Sequence, residues 1–364
     1  MKALLLAGGY ATRLRPLSCT MPKLLFPIAG KPIIEWNIDN LLKHNVNEII
    51  LAVNYMADKI EDYFNKALLG LSIKFSFESM PLGTGGAIKN AKDLIGKNTF
   101  IAMNGDIISQ IDITSMMNFH KEKNASVTIA IYEVKDPSRF GLVKLNEKMK
   151  IESFIEKPKI KDLNVGTINA GIYIMEPEIF EYIPSGKKVS IEKEVFPRLV
   201  KEGKIYGYLY KGLWFDIGKI EDFIEANKIL LSNFYKKSLV IEEGTLIDST
   251  VKLIPPILIK KGVEVKSNSI IGPNSIINSG TIVEKGSKIE NTIIFNNSYI
   301  GELSSITGAI IGEKVYIGKN VKIGKGCIIS GGVFIHDNIS LAEDVIVCPY
   351  KEIDKDIAFS MQIR

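Results

Sequence analysis

Two different rules govern where apolar residues fall along this chain, and the change from one to the other lies near Lys236. Before it, apolar residues come in short runs or in stripes at helical spacing. Residues 3–7 are an apolar run that ends in Gly8-Gly9. Residues 32–44 carry Ile33, Trp36, Ile38, Leu41 and Leu42 on one helical stripe. Residues 48–53 read as a buried strand, a helix follows to Phe64, and Ile73, Phe75 and Phe77 alternate as in a strand. A helix from about Thr84 leads to a strand at residues 100–103. Strands alternating with helices predict an α/β domain, a mostly parallel sheet covered by helices on both faces. Such sheets bind ligands at the carboxyl ends of their strands, which directs attention to the loops at 8–23, 78–86 and 104–108. From Val127 the pattern becomes hairpin-like, with strands at 127–132, 140–145, 151–155 and 169–175, so the sheet is expected to be mixed. An amphipathic helix, about Lys219 to Phe234, closes this part.

Beyond it the period is six. Ile241, Ile247, Leu253, Ile259, Val265, Ile271, Ile277, Val283 and Ile289 fall six residues apart. After one slip Ile294, Ile300 and Ile306 continue, and after a second so do Ile311, Ile317, Ile323, Ile329, Ile335, Leu341 and Val347. Glycine follows several of them, as in Ile271-Gly272, Ile300-Gly301 and Ile317-Gly318. An α-helix cannot keep a six-residue stripe on one face. A solenoid of short flat strands, three to a turn, keeps every sixth residue pointing inward. The pattern resembles the left-handed parallel β-helix of hexapeptide-repeat proteins. Two domains follow, 1–235 and 236–364, and the charged tail after Tyr350 is expected to cap the solenoid.

Composition narrows the class. A chain of 364 residues with 46% hydrophobic and 24% charged residues is that of an ordinary globular protein. A net charge of +5 suits small anionic substrates and does not argue for nucleic acid or an acidic membrane. Cys19, Cys327 and Cys348 lie far apart with no CxxC spacing, and no apolar run approaches a membrane span. The expectation is a cytoplasmic protein without nucleic-acid or membrane partners.

The first loop reads Leu6-Ala7-Gly8-Gly9-Tyr10-Ala11-Thr12-Arg13-Leu14-Arg15-Pro16-Leu17, then Pro22-Lys23. A glycine pair after a first strand lets backbone N–H groups approach a phosphate closely. Arg13 and Arg15 offer forked donors, and Lys23 offers a point charge. Neither GxGxxG nor GxxxxGK[ST] is present, which excludes the dinucleotide fold signature and the P-loop. Seen alone, the glycines equally fit a plain turn beside a solvated basic stretch. The whole string, however, resembles the sugar-phosphate nucleotidyltransferase family, with Ala11 standing where that family usually has glycine.

Later motifs extend the resemblance over nearly the whole chain. Met80-Pro81-Leu82-Gly83-Thr84-Gly85-Gly86-Ala87 is similar to the family's base-binding loop, and Asn104-Gly105-Asp106 to the segment with its first metal-binding aspartate. Phe154-Ile155-Glu156-Lys157-Pro158 resembles the motif that holds the sugar and its phosphate, and Ile168-Asn169-Ala170-Gly171 the segment whose asparagine contacts the sugar. Trp214-Phe215-Asp216-Ile217-Gly218 resembles the segment with the second metal-binding aspartate. Ser190-Ile191-Glu192-Lys193-Glu194-Val195-Phe196-Pro197 points more narrowly, to mannose-1-phosphate guanylyltransferases.

The resemblance implies transfer of a nucleotidyl group from a nucleoside triphosphate to a sugar 1-phosphate, with GTP and mannose 1-phosphate as the leading pair and Mg²⁺ as cofactor. It assigns catalysis to Arg13, Lys23, Asp106, Lys157 and Asp216, and the metal to Asp106 and Asp216. Leu6, Ala7, Gly8, Gly9, Thr12, Arg13, Lys23, Glu78, Pro81, Leu82 and Gly83 would bind nucleotide. Asp106, Gly141, Glu156, Lys157 and Asn169 would bind the sugar phosphate. Glu78 offers only acceptors, which match the adjacent N1–H and N2–H₂ donors of guanine. Three alternatives stay open: glucose 1-phosphate with UTP, dTTP or ATP; a second, acetyl-transferring site at His336; and a catalytically silent subunit. Sheet faces and edges of a solenoid need covering, so a homo-oligomer is expected.

Overall fold

The computed structural model describes residues 1–66, 71–156, 166–233 and 239–364. The expected helix end at Phe234 and domain boundary at Lys236 lie outside the described residues, as does Lys157. The chain forms two compact units, one of Met1–Tyr10 with Ile33–Asp216, the other of Ala11–Pro32 with Ile217–Arg364.

In the first unit the expected elements appear in order. They are β1 (Lys2–Leu6), α1 (Ile33–Lys43), β2 (Glu48–Val53), α2 (Ala57–Lys66), β3 (Ser72–Phe77), α3 (Gly83–Asn90) and β4 (Phe100–Asn104). β1 lies between β2 and β4, β3 flanks β2, and all these pairings are parallel. Ala3, Leu4 and Leu5 are each 0% exposed; successive strand residues point to opposite faces, so both faces are covered.

The remaining elements are β5 (Ile107–Ser109), α4 (Ile113–Glu122), β6 (Val127–Val134), β7 (Gly141–Leu145), β8 (Ile151–Glu156), β9 (Gly166–Met175), α5 (Phe196–Glu202), β10 (Ile205–Leu209) and β11 (Trp214–Asp216). β9 adds antiparallel to β4, and the β7–β8 hairpin extends the sheet beyond it. β6 pairs antiparallel with β9 and parallel with β10, which completes a nine-stranded mixed sheet. β5 and β11 form a separate antiparallel ribbon.

Two local readings change. Phe77 is 54% exposed, stacked on Phe75 with ring centroids 5.8 Å apart, because β3 ends the sheet and its cover thins there. On α1, Leu42 is exposed while Asn37 and Asn40 are buried. Their amides donate to Gly105 O (3.0 Å) and Ile111 O (3.1 Å), so that face of the helix ties down backbone as well as filling core.

The second unit contains α6 (Ile220–Asn233) and, from Leu239 on, three parallel sheets of eight, seven and six short strands visited in rotation. This is the left-handed parallel β-helix. The residues of the six-residue register from Ile259 to Val347 are all buried in the inner core, joined there by others two positions earlier, such as Val263, Val315 and Val333. Ile241, on the first rung, is 43% exposed because no turn lies beneath it. The two slips fall at the same corner, where strands Lys288–Glu290 and Ser305–Thr307 pass to Ile293–Ile294 and Ile310–Ile311. The tail after Tyr350 keeps winding: Ile353 stacks on Ile335, Ile357 bridges to Leu341 and Ile363 stacks on Val347.

The first of the three sheets is buried on its outer side too. Leu258, Ile276, Ile293, Ile310 and Ile328 are buried yet stand outside the inner core.

Candidate active site

Reading across the parallel strands gives the order β3-β2-β1-β4, with the direction of chain progress reversing between β1 and β4. A crevice opens at the carboxyl ends of strands at such a point. Gly8-Gly9 follows β1 and Gly105-Asp106 follows β4. The Gly105 N–H donates to Leu6 O (2.9 Å) at the end of β1, and the Ala7 N–H donates to Ala52 O (2.8 Å) of β2, so both loops start from fixed backbone. A Cβ at Gly8 would lie 3.2 Å from Glu78 Oε1 and 3.3 Å from Asn54 Cβ, so a side chain there would crowd both; Gly9 is open.

Glu78 is 9% exposed, at the end of β3. Its Oε2 accepts the Leu82 N–H (2.9 Å), and its carbonyl accepts the Asn54 amide (2.7 Å). Burial pushes the Glu78 carboxyl above the ordinary range, and the Leu82 amide opposes that rise. Pro81, Leu82 and Gly83 follow on the loop Glu78 braces, all partly exposed. Gly83 has φ +70°, and a Cβ there would come within 2.6 Å of Val189 O.

Sequence reasoning missed the strap that holds this loop. The Val189 N–H donates to Leu82 O (2.8 Å) and the Gly85 N–H to Val189 O (2.9 Å). Thr84 Oγ1 donates to Glu192 Oε2 (2.6 Å), which also accepts Ser190 Oγ (2.7 Å). The string from Ser190 to Pro197 carried this signal, read there only as a family mark.

The ribbon brings the two aspartate-bearing segments side by side. In the β5–β11 pairing Asp216 stands opposite Ile107, beside Asp106, and both aspartates are partly exposed. β9 reaches the same place by a bulge between Asn169 and Tyr173. Gly171, at φ +73°, makes the approach possible; a Cβ there would lie 2.6 Å from Asn104 Nδ2. Asn169 accepts the Gly171 N–H (2.9 Å) and donates to Tyr173 OH (2.9 Å). Trp214 Nε1 donates to Ala170 O (3.0 Å). Gly141 pairs with Glu156, and the next residue, Leu142, with Ile168, so Gly141, Glu156 and Asn169 fall along one line across three strands.

Thr12, Arg13 and Lys23 belong to the other unit. Thr12–Leu14 and Lys23–Leu25 are single 3₁₀ turns, Thr12 and Arg13 are exposed, and Lys23 is half-buried. Ala11 stands at φ 47°, and its carbonyl accepts Leu14 N–H (3.0 Å) and Ser18 Oγ (2.9 Å). His336 lies on an exposed sheet face of the solenoid, hydrogen-bonded to Glu352 (2.6 Å).

Among the described residues no helix is long and apolar enough to cross a membrane.

The profile of the family named nucleotidyl transferase matches residues 2–233, and that of the GMPPB C-terminal domain matches residues 253–363. The mannose-1-phosphate guanylyltransferase catalytic subunit beta of Xenopus tropicalis is 38% identical over 242 residues, 65% of this chain and 66% of that protein. The match thus spans just under two thirds of that relative. The mannose-1-phosphate guanylyltransferase of Mycobacterium tuberculosis is 33% identical over 274 residues, 72% of this chain and 76% of that one. The crystal structure of HddC from Yersinia pseudotuberculosis complexed with GMP-PN superimposes with a TM-score of 0.55 at 32% identity, covering 62% of this chain and 97% of that one.

Proposed function

The chain belongs to the nucleotidyl transferase family, and from that premise we propose that it joins GTP and mannose 1-phosphate into GDP-mannose and releases pyrophosphate. The observation that supports the reading is the pairing of Asp216 opposite Ile107, which sets the backbone of one aspartate one register position from that of Asp106 at the end of β4. Relatives named mannose-1-phosphate guanylyltransferase support the choice of base and sugar.

In the reaction an oxygen of the sugar phosphate attacks the α-phosphorus of the triphosphate. A new O–P bond forms there, the O–P bond to the β-phosphate breaks, and pyrophosphate leaves with the electron pair. The phosphate monoester is already anionic at neutral pH, so no general base is required. The residues are left with positioning and neutralisation of charge. Arg13 is assigned to the departing pyrophosphate, Lys23 to the α-phosphate region and Lys157 to the attacking phosphate. Leu6, Ala7, Gly8, Gly9, Thr12, Pro81, Leu82 and Gly83 are assigned to the nucleotide, with Glu78 receiving the donors of guanine. Gly141, Glu156 and Asn169 are assigned to the sugar phosphate.

Asp106 and Asp216 would hold Mg²⁺. Among the described residues no group of three or more His, Cys, Asp or Glu gathers as a metal cage. Two carboxylates alone suit an ion that keeps waters and takes its other ligands from substrate phosphates. Bound there, it would neutralise charge on the phosphates.

Two further parts of the reading concern setting and assembly. Three free cysteines agree with a reducing, cytoplasmic environment. A homo-oligomer formed through the β-helix is supported by the exposed stack of Tyr316 and Phe334, 4.5 Å apart; sedimentation velocity tests it, and a monomer at assay concentration contradicts it.

Asp106→Asn and Asp216→Asn test the site itself. Each should slow pyrophosphate release by about a hundredfold or more, the size of losing one group that stabilises developing charge. Either variant turning over at the wild-type rate contradicts the assignment.

A further inference from the structure

The β-helix grips the segment that carries Arg13 and Lys23. On the outer side of its first sheet Phe295 is 2% exposed, and its ring meets Phe26 at 5.8 Å and 71°. Phe223 of α6 completes the group, 5.8 Å from Phe26 and 5.9 Å from Phe295. Aromatic edges and faces at these distances attract beyond simple burial. Phe26 also closes the turn that begins at Lys23, for its N–H donates to Lys23 O (3.0 Å). The ring held by the solenoid is therefore three residues from the lysine and part of the same turn.

Three more holds flank it. The Ala29 N–H donates to Asn227 Oδ1 (2.8 Å), and the Asn227 amide donates in turn to Phe223 O (2.9 Å). A Cβ at Gly30 would come within 2.6 Å of Leu258 Cδ2, and one at Gly331 within 2.9 Å of Thr20 Oγ1. Sheet and loop touch backbone to side chain at both places. All of these residues belong to one compact unit.

We propose that Phe295, with Phe223 and Asn227, positions the phosphate-binding segment, so that the β-helix is part of the nucleotide-binding machinery in addition to any role in assembly. The proposal rests on the reading of Arg13 and Lys23 as phosphate-binding residues. A cation contributes only where it stands, and misplacement by about an ångström can cost on the order of a hundredfold in rate. Gly141, Glu156 and Asn169, assigned to the sugar phosphate, belong to the other unit. Loosening the aromatic group should therefore disturb the triphosphate and spare the sugar phosphate.

The experiment is steady-state pyrophosphate release by the full-length protein and its Phe295→Ala, Phe295→Leu and Asn227→Ala variants, with GTP and mannose 1-phosphate varied in turn and folding checked by circular dichroism. For Phe295→Ala, kcat/KM for GTP should fall about tenfold or more while KM for mannose 1-phosphate stays within about twofold. Phe295→Leu and Asn227→Ala should move the same parameter in the same direction by about threefold or more, which keeps the test decisive if Phe295→Ala does not fold. Folded variants with wild-type GTP parameters overturn the proposal, as does an equal rise in KM for both substrates. A wild-type protein that releases no pyrophosphate from any pair overturns the underlying reading first, and the two failures are told apart by that control.

Discussion

Ala11 adopts φ 47° and ψ 41°, the left-handed region where a Cβ crowds the following carbonyl. The conformation is held by two hydrogen bonds on the Ala11 carbonyl, so the loop keeps its shape despite the residue. Relief of the crowding is about 1–2 kcal/mol, and the extra unfolded-state entropy of glycine takes back about 0.5–1 kcal/mol. Ala11→Gly should therefore stabilise the protein by up to about 1.5 kcal/mol in chemical denaturation; a loss of stability contradicts the steric account. Glu78 makes a second prediction. Its carboxyl is raised by burial, so it takes up a proton at a higher pH than an ordinary glutamate. If the ionised form receives guanine, KM for GTP rises on acidification while ordinary carboxylates are still charged, and Glu78→Gln removes that pH dependence. The same variant should narrow the preference for GTP over UTP and dTTP by about tenfold or more, and an unchanged preference contradicts the role. For stability the sign is opposite to that of a paired carboxylate: the folded-state value lies above the unfolded one, so the contribution is present at acid pH and lost as pH rises through the raised value. The residue type and place of Glu78 were legible in the sequence. Its burial was not, because Gly8, on the loop after β1, packs beside it and an amide four residues away binds it.

Single repeats of the solenoid behave as interchangeable units, each inward aliphatic stacked on the one a turn below. Ile300→Ala opens a void in that column and should cost about 2–5 kcal/mol in denaturant unfolding, whereas Lys322→Ala, on an exposed outer position, should stay within about 0.5 kcal/mol. Equal costs at the two positions contradict the assignment of inside and outside. Here the sequence was most readable, since a period of six leaves little choice of register, and even the two slips mark a real corner. A second periodic signal was present and not used. In Leu258-Ile259, Ile276-Ile277, Ile293-Ile294, Ile310-Ile311 and Ile328-Ile329 the residue before the inward one is also aliphatic, once per turn. Aliphatic pairs on rung after rung of one sheet favour burial of both its faces. The other two sheets are mixed at the equivalent place, with Lys252, Glu264, Lys288 and Lys322 beside Leu246, Ile270 and Ile282. Among the helices, the buried Asn37 and Asn40 could not be foreseen from a hydrophobic stripe, because they serve backbone carbonyls that arrive from distant loops.

Over the whole molecule the division of the chain is not the division of the sequence patterns. Residues 11–32 fold with the solenoid and α6, although they lie more than two hundred residues before the first rung. No local pattern could reveal that, since it depends on Phe26 finding Phe223 and Phe295. The order of motifs, the loops at the carboxyl ends of the strands and the solenoid were legible; the strand order, the strap on the base loop and the grip on the phosphate loop were not, being contacts between segments remote in sequence. A chain ended before Leu239 would expose Phe26 and Phe223 and should lose GTP turnover; full turnover by that truncated chain contradicts a share for the solenoid in nucleotide binding. The most direct measurement of the central claim is pyrophosphate release over a matrix of GTP, ATP, UTP and dTTP against mannose 1-phosphate, glucose 1-phosphate and glucosamine 1-phosphate, with Mg²⁺ present. The predicted result is release that is highest for GTP with mannose 1-phosphate, with GDP-mannose as the matching product. No release with any pair, or a clear maximum at another pair, contradicts it.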